Sequence, residues 1–105
     1  MSIFTESAAK TFLDRIRRAA KRRNYPIPEP VQTEEESTVI FTFTEPSNGN
    51  SASVRISEGS EYVSDESLFG DMLGSNVYWI EPAPNLVVQI NRVIELVFTD
   101  LTKGN

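Results

Sequence analysis

Apolar residues recur with helical period at both ends of this chain and with period two between them, and this change of period restricts the fold most. Near the amino terminus Ala8, Ala9, Phe12, Leu13, Ile16, Ala19 and Ala20 fall three and four apart, which predicts an amphipathic helix over residues 1–23. Thr5 is its expected N-cap, with Phe4 and Ala9 placed as a hydrophobic staple. Near the carboxy terminus Leu86, Val87, Ile90, Val93, Ile94, Val97, Phe98 and Leu101 predict a second helix over 85–102. Asn85 is the expected cap of this helix, and Lys103-Gly104 suits its end. Its stripe is wider than one small sheet face needs. A two-fold homodimer through this helix, with Phe98 and Leu101 at the contact, is expected to cover the excess.

Between the helices, Thr38 to Thr44 and Ser51 to Ser57 alternate around Asn48-Gly49, the signature of a β-hairpin. A type I′ loop of Asn48 and Gly49 alone would pair Ser47 with Asn50, Phe43 with Val54 and Phe41 with Ile56. Pro46 would then occupy a non-hydrogen-bonded pair. Asn76 to Ile80 reads as a further strand, Glu61 to Ser64 as a short one, and Ser67 to Leu73 as a helical turn or loop. Pro26, Pro28 and Pro30 exclude helix from 24–37, which is expected to be a stiff connector with Glu34, Glu35 and Glu36 outside regular structure. The expectation is one α+β domain over residues 1–105. An antiparallel sheet of three or four strands, within 38–80, is covered on one face by both helices.

The sequence contains neither cysteine nor histidine. Thiol nucleophiles, thiolate metal sites and the commonest acid–base residue are therefore missing. Gly70 and Gly74 fit neither a phosphate loop nor a dinucleotide fingerprint, and a calcium loop starting at Asp65 fails at Phe69 and Asn76. A non-catalytic protein without cofactor or metal is expected. The first residues lack the basic region and apolar core of a signal peptide. Leu86 to Phe98 is interrupted by Gln89, Asn91, Arg92 and Glu95, so a cytoplasmic protein without membrane contact is expected.

Charge is sorted along the chain, although the net value is only −5. Residues 1–23 carry Lys10, Arg15, Arg17, Arg18, Lys21, Arg22 and Arg23 against Glu6 and Asp14, whereas Arg55 is the only basic residue from 24 to 91. Such asymmetry points to charged partners. The leading expectation is a small interaction protein (an inhibitor, adaptor or accessory subunit) that meets a protein partner with a basic surface. Glu34, Glu35, Glu36, Glu61, Asp65, Glu66 and Trp79 would form its acidic and aromatic contact. Trp79 could equally fill the core, because the covered face of strand 76–80 is not fixed by pattern. The alternative is a nucleic-acid-binding accessory protein that sets Arg15, Arg17, Arg18, Lys21 and Arg22 against phosphates.

Overall fold

A computed structural model describes residues 3–35, 37–58, 76–82 and 84–104. The amino-terminal helix, α1, runs Ile3–Arg22 and buries Ala8, Ala9, Phe12, Ile16, Ala19 and Ala20, the predicted stripe apart from half-buried Leu13. It ends in a Schellman motif. Asn24 takes a positive φ of 53°, its N–H donates to the Lys21 carbonyl at 3.1 Å, and the Tyr25 N–H donates to the Ala20 carbonyl at 2.9 Å. Thr5 is not the cap. It lies inside the helix, fully buried, and its hydroxyl donates to the Ser37 carbonyl at 2.7 Å, pinning α1 to the sheet.

Four strands follow: β1 Val31–Glu35, β2 Thr38–Thr44, β3 Ser51–Ser57 and β4 Asn76–Ile80, in the spatial order β1-β2-β3-β4. Helix α2 spans Leu86–Thr102. It lies over β3 and β4, and α1 lies over β2 and β3. Both helices thus cover the sheet face that carries Val39, Phe41, Phe43, Ala52, Val54, Ile56 and Ile80. Phe12 stacks on Phe41 with ring centroids 5.8 Å apart and meets Phe43 edge-on at 6.2 Å. The α+β class and the helical cover are as expected from the change of period.

Three details differ from the sequence expectations. First, the segment assigned to a connector contains β1, which pairs antiparallel with β2, Val31 opposite Thr42 and Glu35 opposite Thr38. Pairing with β2 overrides the poor strand propensity of glutamate. Second, the hairpin register is shifted by two residues: Phe43 faces Ala52, Phe41 faces Val54 and Val39 faces Ile56. The loop runs from Pro46 to Gly49 and is closed by the Glu45 N–H on the Asn50 carbonyl and the Gly49 N–H on the Glu45 carbonyl, both at 2.8 Å. Pro46 sits first in the loop, where its fixed φ suits a turn and no N–H is required, and Gly49 takes the positive φ of 75°. Asn48 and Asn50 serve another element. Their side-chain amides donate to the Leu101 and Lys103 carbonyls, at 3.0 and 2.8 Å, and so satisfy the end of α2. Third, β4 runs parallel to β3, with Ile80 beside Ile56, so the sheet is mixed and not wholly antiparallel. A parallel neighbour needs a long connection, and the interval from Ser57 to Asn76 is long enough.

The proposed dimer contact is also corrected. Phe98 and Leu101 are 1% and 0% exposed within a single chain. Tyr25 meets the Phe98 ring edge-on at 5.8 Å, and the Arg23 guanidinium lies 4.4 Å from its centroid. The exposed apolar side chains of α2 are Val87, Val88 and Leu96, a different set. The expected strand at Glu61 to Ser64 and the turn at Ser67 to Leu73 lie outside the described residues.

Candidate interaction surfaces

Among the described residues β1 is the last strand on its side of the sheet, and Val31, Gln32, Thr33 and Glu34 are all exposed. Its position explains this: the helices cover β2, β3 and β4, and β1 projects beyond them. Gln32 and Glu34 stand on the helix side, opposite Phe41 and Val39, and Gln32 donates to the Glu34 carboxylate at 2.8 Å. Between β1 and α1 runs an open groove of about 440 Å³. Ala9, Leu13, Val39 and Phe41 form its apolar lining, and Glu6, Lys10 and Glu34 its charged rim. Among the described residues Glu34 has no ion-pair partner.

Trp79 lies in β4, the opposite edge among the described strands, and faces away from the helices. Its neighbour across the parallel pair is Arg55, whose guanidinium stands 4.9 Å from the indole centroid. Arg55 is only 7% exposed, and its Nε has no hydrogen-bond partner among the described residues. Trp79 therefore belongs neither to the helix-covered core nor to the surface that carries Glu34. Three interstrand steps of ~4.8 Å, about 14 Å in all, separate the two edges, and the side chains project from opposite faces. Glu34 and Trp79, two members of the expected acidic and aromatic contact, therefore do not share a surface. Of the other members of that contact, Glu35 is on β1, while Glu36, Glu61, Asp65 and Glu66 lie outside the described residues.

The basic residues divide differently. Arg15, Arg18 and Arg22 line one side of a groove of about 280 Å³, with Asn91, Ile94 and Glu95 of α2 on the other and Ala19 at its base. Arg17 turns to the connector and pairs with Glu29 at 3.3 Å, and Lys21 is exposed outside this groove. Arg18 pairs with Asp14 at 3.0 Å, one helical turn back. Arg23 binds the Glu95 carboxylate, bridging α1 to α2. Sequence reasoning did not single out Arg23, Asn91 or Glu95 for this surface. Asn91 and Glu95 lie one helical turn apart, but only the packing of α2 on α1 sets them opposite the arginines.

Two phenols are tied to carboxylates, Tyr25 to Glu45 and Tyr78 to Asp100. Burial, then the hydrogen bond, then the neighbouring negative charge push both hydroxyls up to about 12. Glu45 is held below the usual carboxylate range by its bonds to Tyr25 and Ser47. Each folded phenol holds its proton more tightly than the unfolded chain does. Stability is therefore complete below about pH 10 and falls as pH rises toward about 12. Urea unfolding on either side of that window is expected to show the loss, and Tyr25→Phe with Tyr78→Phe to flatten it. A wild-type midpoint that stays constant across the window would contradict these two pairings.

Among the described residues, no three metal-ligating side chains gather, and no helix is long and apolar enough to cross a membrane. No protein-family model, curated protein or solved structure matches this chain.

Proposed function

We propose that this is a non-catalytic interaction protein, an inhibitor, adaptor or accessory subunit, which takes an extended basic segment of a protein partner along β1. The observation that carries this reading is the exposed outer edge of β1 beside a groove whose charged rim holds Glu6 and Glu34 against Lys10 alone. An edge strand presents unpaired N–H and C=O groups, and an added strand can pair with them. Alternate side chains of that strand would fall beside Gln32 and Glu34. An apolar one enters the groove between α1 and β1, and a basic one meets Glu34 or Glu6. Acidic side chains on an edge also discourage unwanted pairing, which restricts the acceptable strand to one of opposite charge. The absence of histidine and cysteine from the sequence supports a role without catalysis.

The test is fluorescence anisotropy with a short capped peptide in which lysine and valine take turns at every second position, with threonine between them, so that both reach the groove side of an added strand. Saturable binding that weakens as salt rises is expected, and the matching glutamate–valine peptide is expected not to bind. Charge reversal by Glu34→Lys together with Glu35→Lys should weaken the lysine peptide by roughly tenfold, about 1.4 kcal/mol. Equal binding by the parent and the reversed variant would remove β1 as the docking strip.

A further inference from the structure

We propose that the groove between α1 and α2 is a separate anion site that binds the phosphate groups of a compact polyanion. The proposal stands independently of the reading of β1. Arg15, Arg18 and Arg22 recur at spacings of three and four, so they form one row on α1 about 10 Å long. The facing wall, Asn91, Ile94 and Glu95, turns that row into a concavity. Its base is apolar, since Ala19 and Ile94 are 6% and 3% exposed, and charge interactions strengthen beside such a low-dielectric floor.

The local charges leave the guanidinium forks available. Among the described residues, Arg15 and Arg22 make no ion pair, and Arg18 pairs only with Asp14 across open solvent. Among the described residues Glu95 is the single acid lining the groove, and Arg23 already binds it. Three planar forks within one small space suit oxyanions with several acceptor oxygens, and the Asn91 amide can add a neutral donor. The groove, about 280 Å³, accommodates a run of phosphates along the row of forks. The acidic remainder of the chain opposes the approach of a long duplex.

The phosphates could belong to a free oligophosphate or to a single-stranded nucleic acid, and calorimetry on the full chain distinguishes these sources. The probes are inorganic tripolyphosphate, a single-stranded oligonucleotide and polyglutamate. Tripolyphosphate is expected to bind with an affinity that falls as salt rises. Arg15→Gln with Arg22→Gln should weaken it at least tenfold. Arg17→Gln with Lys21→Gln removes the same charge outside the groove and should leave binding within about twofold, a difference of ~0.4 kcal/mol. Thermal unfolding and far-ultraviolet circular dichroism report whether each variant keeps its fold. Tighter binding of the oligonucleotide, lost in the groove variant, would retain the phosphate site and assign it to nucleic acid. Equal losses in both double variants would reduce the effect to a diffuse field and overturn the proposal. So would absent binding, or polyglutamate bound more tightly than either phosphate probe.

Discussion

Replacing Phe98 with glutamate is expected to leave the chain unfolded. The ring is 1% exposed, meets Tyr25 edge-on at 5.8 Å and lies under the Arg23 guanidinium at 4.4 Å. It joins three parts of the chain: α2, the end of α1 and the start of the connector. Removing a buried aromatic ring costs ~3–5 kcal/mol. A carboxylate in its place adds several more, because it must be buried charged or take up a proton. Against a total of ~5–15 kcal/mol for a small domain, little stability is left. Loss of far-ultraviolet circular dichroism and of a cooperative thermal transition is the expected readout. A folded, monomeric Phe98→Glu protein would contradict this packing and would restore the ring to a contact between chains.

Phe12→Ala should cost ~3–5 kcal/mol, and Phe41→Ala a similar amount. Phe12 is fully buried against two rings, Phe41 stacked and Phe43 edge-on, so truncation opens a cavity at the centre of the helix–sheet contact. The comparison is Thr42→Ala on the opposite face. It loses one hydroxyl contact, Thr42 Oγ1 to Ser53 Oγ at 3.2 Å, worth about 1 kcal/mol. Urea denaturation of the three variants separates the faces. Equal losses at Thr42 and Phe12 would mean that the buried face is misassigned.

The helices and the buried sheet face were legible because large apolar residues repeat with an unambiguous period. Phe12, Ile16, Ile90 and Val97 needed no tertiary knowledge. Hairpin register was different. A slip of two residues keeps Phe41, Phe43, Val54 and Ile56 on the same face, so alternation cannot detect it. The turn residues that seemed to decide it were committed elsewhere, since Asn48 and Asn50 bond the end of α2. Strand β1 gave no signal because no helix covers it. Val31-Gln-Thr-Glu-Glu alternates nothing, and pairing with β2 alone holds it. The direction of β4 depends on its connection to β3, which no periodicity encodes.

The candidate sites follow the same division. The row Arg15, Arg18 and Arg22 could be read from helical spacing. Its opposite wall required the packing of two helices distant in sequence. Glu34 and Trp79 both suggested partner contact, but the strand order sends them to opposite edges. The surface proposed for partner binding is therefore β1 and its groove, without the tryptophan.

Backbone amide exchange, measured with and without the lysine–valine peptide, tests the central proposal most directly. Strand addition should newly protect amides within Val31–Glu35 that point away from β2 and exchange freely in the unbound protein. Amides along β3 should be unaffected, since that strand is paired on both sides. Bound peptide with unchanged exchange across β1, or with protection confined to the α1–α2 groove, would contradict docking at this edge.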